Sequence, residues 1–416
     1  MARHPRTRWI VALVGVLALS ASACSSEGGN ERTTAANVGG SSSEPGAIAA
    51  PAGQDFYIPP DPLPPGEPGD LIWAAPIEGP PGTDAWRVLY RSTTMKGTPV
   101  AVSGLLFAPE PGPTDRPVPI LAVAHGTTGL ADRTAPSKLV ETEANSVEVG
   151  HLPGDLERRY VVVATDYEGL GTPGVHPYVV GMSEGRDVLD SIRAAQRFPG
   201  IGTSAKSKSV IWGHSQGGGA TLVAAELAPT YAPDANVAGA VAGAPASELK
   251  LMGTALRTSP FFGYIFMAAA GFKAAYPELD LSTIFTPVGL AAVEQASDQS
   301  GTETIEAYRG HDPNQYLKAD PGSTEPFASL LEENSPGVRS TTVPIFMYHG
   351  EADEQVPVIA SELVLERYCA NGTTAYRRTW AGADHVGVVS LALPEIERYL
   401  DARIAGTPAP TSCPAK

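Results

Sequence analysis

The sequence predicts an open, mostly parallel α/β sheet in a single domain that carries an inserted helical cap. Three observations support this. Val118 to Val123 and Tyr160 to Ala164 are continuous apolar runs, as expected of strands covered on both faces. Helical patterns separate runs of this kind, which specifies parallel strands joined by crossovers. Residues from about Leu251 to Ser340 interrupt the alternation with apolar and helical segments but no clear run of buried strands.

The elements follow in chain order. Arg3, Arg6 and Arg8 precede an apolar run from Trp9 to Leu19 and the small residues Ser20-Ala21-Ser22-Ala23, so residues 1–23 read as a secretion signal too short to span a bilayer. Cys24 then stands where a bacterial lipobox places its lipidated cysteine. Ala21-Ser22-Ala23 also fits an ordinary cleavage site, which would release the chain, and an uncleaved anchor is the third alternative. Cleavage removes three arginines and no acid, taking the formal charge from −16 to −19. Residues 24–54 are rich in Ser, Gly, Ala and Thr, a disordered tether. Residues 55–85 form an arm in which Pro59, Pro60, Pro62, Pro64, Pro65 and Pro68 favour polyproline geometry.

The sheet core is expected over 86–250 and 341–416, with the cap at 251–340. Trp86 to Ser92 and Pro99 to Phe107 flank Lys96-Gly97 as an antiparallel hairpin would. Between Ser183 and Arg197, Val188, Leu189, Ile192 and Ala195 share one helical face. Ser209 to Trp212 is a short strand, followed by a small-residue helix from Gly217 to Ala228. Val237 to Val241, Pro344 to Tyr348 and Ala375 to Trp380 complete the strands.

Composition excludes some functions. Lys plus Arg is 29 against 45 for Asp plus Glu, so no basic surplus exists to neutralise the phosphates of nucleic acid. Three cysteines without a C-x-x-C pair argue against a cysteine-held metal, and neither metal nor organic cofactor is expected.

The strongest chemical motif is Gly213-His214-Ser215-Gln216-Gly217, lying between a strand and a small-residue helix. That turn holds a serine in strained geometry, and only glycines fit on either side of it. A second match, Gly181-Met182-Ser183-Glu184-Gly185, opens a charged amphipathic helix, where Ser183 reads as a helix N-cap. Ser215 is therefore the nucleophile. Its base and orienting acid should follow in the order Ser, acid, His, each after a strand. Asp353 follows Pro344 to Tyr348, with Glu351 and Glu354 as local competitors. His385 follows the last strand and, of the eight histidines, is the only one beyond Asp353. His125, His151, His176, His214, His311 and His349 read as structural or mouth-lining. Oxyanion donors are expected from the backbone N–H of Gln216 and from the His125-Gly126-Thr127-Thr128-Gly129 loop, with Thr127 chosen and Thr128 close behind.

Together, Pro68-Gly69-Asp70, Leu89 to Thr93, Ala164-Thr165-Asp166-Tyr167-Glu168-Gly169, Gly213 to Gly218, His349-Gly350-x-x-Asp353 and Gly382-Ala383-Asp384-His385 resemble, in order and spacing, the secretory lipase family of α/β-hydrolases. That family includes fungal lipase A types and many actinobacterial exported proteins. The resemblance covers about Phe56 to Cys413. It implies an α/β-hydrolase fold with a helical cap over a long acyl tunnel, a carboxylic ester hydrolase acting on acyl esters or lipids, and Ser215, Asp353 and His385 as triad. An acyltransferase or peptidase on the same triad is an alternative, as is a non-catalytic surface lipoprotein. The apolar stretch Phe261 to Phe272 reads either as an acyl-site lining or lid, or as a buried cap helix. With Cys24 lipidated, Cys369 and Cys413 remain as an even pair for a disulfide in an oxidising compartment, pinning the tail across the final helix.

Overall fold

The computed structural model describes residues 49–110, 116–140 and 156–414. The signal, Cys24 and His151 lie outside the described residues. Nine strands form one sheet: β1 (Leu71–Ile77), β2 (Thr83–Thr93), β3 (Pro99–Pro109), β4 (Ile120–Ala124), β5 (Val161–Thr165), β6 (Ser209–His214), β7 (Val237–Gly243), β8 (Ile345–Gly350) and β9 (Ala375–Trp380). Their order is β1-β2-β3-β5-β4-β6-β7-β8-β9. The first three neighbours pair antiparallel and every ladder from β5 to β9 is parallel. This is the mostly parallel α/β sheet that the sequence predicts.

Ten helices of the described residues accompany it: α1 (Pro136–Leu139), α2 (Gly181–Arg197), α3 (Gln216–Tyr231), α4 (Leu249–Ala255), α5 (Tyr264–Ala275), α6 (Pro287–Ala296), α7 (Gly301–Tyr308), α8 (Phe327–Asn334), α9 (Ile359–Asn371) and α10 (Gly387–Ile404). One face of the sheet packs on Val188, Leu189 and Ile192 of α2 and on Leu222 and Val223 of α3. The other packs on Val388, Ile396 and Leu400 of α10. Residues in β4 and β5 are buried throughout, which explains runs that are apolar at every position rather than at alternate ones.

β1 was not among the expected strands, because it lies within the proline-rich arm. It is an edge strand whose Pro76 needs no ladder donor on its open side. Trp73 holds the arm to it, donating from Nε1 to the carbonyl of Phe56 at 2.9 Å. Between β7 and β8 the chain leaves the sheet for α4 to α8, which enclose an apolar core of their own around Phe262, Phe266, Phe272, Phe285 and Phe327. No helix among the described residues is long and apolar enough to cross a membrane.

Cys369 and Cys413 form a disulfide with Cα atoms 5.2 Å apart. The tail it holds runs beside β9, not across the last helix. Ser412 N donates to the Ala375 carbonyl at 2.8 Å, and Arg377 N donates to Ser412 Oγ at 3.0 Å. The apolar face of α10 is already committed to the sheet, whereas the open edge of β9 has backbone groups to satisfy.

Candidate active site

Ser215 sits at the junction of β6 and α3 with φ 60° and ψ −120°, a region that costs a non-glycine residue roughly 1–3 kcal/mol. Its backbone is held on both sides. Ser215 N donates to Gly243 O at 2.9 Å, and its carbonyl accepts from Ala246 N at 3.0 Å and Gly219 N at 3.1 Å. The flanking glycines are steric necessities. A Cβ on Gly217 would lie 1.9 Å from Ala124 O, and one on Gly213 would lie 2.2 Å from Gly217 O.

Ser183 is in a different setting and is not the N-cap expected for it. Its helix begins two residues earlier, Val180 occupies the cap position, and Ser183 Oγ donates to Glu168 Oε2 at 2.5 Å. The preceding Gly181 and Met182 accept helical geometry, which turns this hydroxyl into the protein.

Asp353 and His385 come together from the loops after β8 and β9, with His385 Nδ1 2.6 Å from Asp353 Oδ2. A carboxylate only accepts, so Nδ1 carries the proton and Nε2 keeps a lone pair for a substrate-side partner. The other carboxylate oxygen, Oδ1, accepts from the backbone N–H groups of Gln355 at 2.9 Å and Val356 at 2.8 Å. Burial alone would raise the Asp353 pKa, but hydrogen bonds from His349 and His385 outweigh it and hold the carboxyl well below the usual range. Glu351 and Glu354 are exposed, and Glu351 accepts from Thr379 Oγ1 instead.

His349 is fully buried beneath this pair, its Nε2 3.1 Å from Asp353 Oδ2. Sequence reasoning left it among structural or mouth-lining histidines. Its position in the His349-Gly350-x-x-Asp353 stretch was the signal that could have linked it to the acid. The ring of His214 lies 4.7 Å from that of His385, and burial followed by the neighbouring His385 lowers its pKa to about 3. His125, lowered to about 4 chiefly by burial, is locked to the carbonyls of Gly126 and Asp166. His311 belongs to the cap, where it meets the Tyr316 hydroxyl.

The loop after β4 runs against the serine turn. A Cβ on Gly126 would stand 3.5 Å from His214 O and 3.9 Å from Ser215 Cβ. Thr127 lines the same cavity as Ser215 and His385, and its Oγ1 is 2.8 Å from the hydroxyl of Tyr178. Gln216 opens α3, in the first turn, where backbone N–H groups lack intrahelical acceptors. Among the described residues, no three His, Cys, Asp or Glu side chains converge as metal ligands would.

Two cavities meet at Ser215. A narrow one of about 50 Å³ runs under the cap between Leu249, Met252, Ile265, Ala268 and Phe327. A wider one of about 380 Å³ is bordered by Thr127, Thr302, Glu306, Arg309 and His385. Tyr264 and Gln355 border both, and the Tyr264 hydroxyl donates to Gln355 Oε1 at 2.9 Å. The apolar stretch Phe261 to Phe272 divides between the cap core and a cavity wall. Phe262, Phe266 and Phe272 fill the cap core, while Ile265 and Ala268 face the narrow cavity.

Residues 134–412 match the model of the secretory lipase family. Among curated proteins, the chain is 26% identical over 380 residues to probable inactive lipase MT1628 of Mycobacterium tuberculosis, covering 86% of this chain and 83% of that one. It is 28% identical over 309 residues to the secreted triacylglycerol lipase LIP4 of Malassezia globosa, covering 70% and 66%. Among solved structures, Candida antarctica lipase A in its closed state superposes with a TM-score of 0.74 at 21% identity, covering 88% of this chain and 89% of that one.

Proposed function

The chain belongs to the secretory lipase family, and on that premise we propose that it is an exported ester hydrolase in which Ser215 is the nucleophile, His385 the general base and Asp353 the residue that orients it. The observation that carries this reading is the 2.6 Å contact between Asp353 and His385 Nδ1, at a cavity that Ser215 also lines in strained geometry. Ser215 Oγ attacks the ester carbonyl as its proton passes to His385 Nε2. The resulting anion is received by the N–H groups of Thr127 and Gln216, and the alcohol leaves with the proton. Water then releases the acid from the acyl-serine by the same route. The narrow apolar cavity suits an aliphatic acyl half and the wider, more polar one suits the leaving alcohol.

Labelling with a fluorophosphonate and turnover of p-nitrophenyl esters test this together. Both should vanish in Ser215→Ala. Ser183→Ala should keep both and lose about 1–2 kcal/mol of stability, because it strips a buried hydrogen bond from Glu168. An unlabelled wild type would instead favour a non-catalytic surface protein. Lipidation at Cys24 is proposed as the route of membrane attachment, and it predicts incorporation of labelled palmitate that Cys24→Ala abolishes.

A further inference from the structure

The two proposed oxyanion donors come from different elements. Gln216 begins α3, and Thr127 lies in the loop after β4. Both side chains reach the same third segment, residues 176–179, which leads into α2. Gln216 Nε2 donates to His176 Nε2 at 2.9 Å and to Glu184 Oε1 at 2.8 Å. Thr127 Oγ1 meets the Tyr178 hydroxyl at 2.8 Å.

The hydrogen-bond inventory fixes the orientation of this set. His176 Nδ1 lies 3.0 Å from the Glu168 carbonyl, which can only accept, so Nδ1 bears the proton and Nε2 accepts from Gln216. The second amide hydrogen of Gln216 then points at Glu184, and a flipped amide would set oxygen against carboxylate. Glu184 Oε1 also accepts from Val179 N at 2.9 Å. Val179 has φ 53°, a left-handed value that a β-branched residue adopts only when its surroundings force it. One carboxylate therefore holds both the strained loop and the residue after the nucleophile. The cap backs the loop from the other side, since a Cβ on Gly271 would lie 2.4 Å from Tyr178 N.

We propose that residues 176–179, fastened by Glu184, act as a strut that sets the separation of the two oxyanion donors, making His176, Tyr178 and Glu184 positioning residues for ester hydrolysis. This rests on the reading of Thr127 and Gln216 as those donors. A donor displaced by a fraction of an ångström loses most of its stabilisation of the developing anion while leaving ground-state binding intact.

The test uses the full mature chain. Tyr178→Phe removes one oxygen, and Glu184→Gln keeps the shape of its side chain. Each should lower kcat about 10- to 100-fold with KM for p-nitrophenyl butyrate within about twofold. Affinity for an alkyl boronic acid, which forms a tetrahedral anion on serine, should fall by the same factor as kcat. Thr127→Val combined with Tyr178→Phe should be no worse than the poorer single variant. Folded variants with wild-type kcat, or a kcat loss without a matching loss of boronic acid affinity, would overturn the strut. Tyr178→Phe keeps the question open to decision if Glu184→Gln fails to fold. Failure of the underlying reading looks different, because the wild type would then escape fluorophosphonate labelling or Ser215→Ala would still turn over.

Discussion

His349 and His385 share one oxygen: Asp353 Oδ2 lies 3.1 Å from His349 Nε2 and 2.6 Å from His385 Nδ1. The carboxylate is thus held from below by a buried imidazole while it orients another above. Asp353→Asn keeps the shape but offers an amide to both rings. Steady-state kinetics on p-nitrophenyl butyrate should show kcat reduced by about 10⁴, with the variant still folded by circular dichroism.

Buried ionisable groups near the site give stability a pH dependence of known sign. His214 falls from 6.5 to about 3 on folding, so below pH 6.5 the unfolded chain takes up its proton first and stability drops as pH falls toward 3. His214→Asn should therefore gain on the wild type by about 2 kcal/mol between pH 6.5 and 5 in urea titrations. Asp187 acts oppositely. Burial, then the nearby Glu168, raises its pKa, so its contribution is fully present below 3.8 and is lost as pH rises through the folded value. Asp187→Asn should lose ground to the wild type at acid pH, and equal slopes for the two variants would refute this assignment.

On the proposed reading, the narrow cavity limits the length of the acyl half. Ala268 on α5 faces it, and Ala268→Leu adds three carbons where about 50 Å³ is open. Across a p-nitrophenyl ester series, kcat/KM should fall most for the longest chains and least for acetate. A uniform loss would mean that the acyl group lies elsewhere.

The Cys369–Cys413 bridge joins residues 44 apart, which by chain entropy is worth about 4 kcal/mol. Thiol titration of the unreduced mature protein should find neither cysteine free. Cys369→Ser with Cys413→Ser should lower the thermal midpoint while leaving kcat on short esters near the wild-type value, because neither residue borders the cavities.

What could be read from the sequence depended on the range of the interaction responsible. Val118 to Val123 and Ser209 to Trp212 announce buried strands because burial on both faces leaves a local mark, and the Gly213–Gly217 turn is legible because the crowding at Gly213 comes from Gly217 O within the motif, although the crowding at Gly217 comes from Ala124 on β4. β1 stayed hidden because Pro76 and the surrounding prolines disguise an edge strand. The partners of Gln216 could not be foreseen, since Glu184 and His176 are 32 and 40 residues away and lie on another element. Ser183 misled because a short motif cannot show where its helix begins.

The tail tied down by Cys413 covers part of the outer rim of β9, where a terminal strand would otherwise expose unpaired N–H and C=O groups. Such a rim templates pairing with other chains. Reduction would therefore do more than loosen the fold: it would convert a guarded margin into an adhesive one, and the first sign of a reducing environment would be self-association of intact molecules rather than lost catalysis.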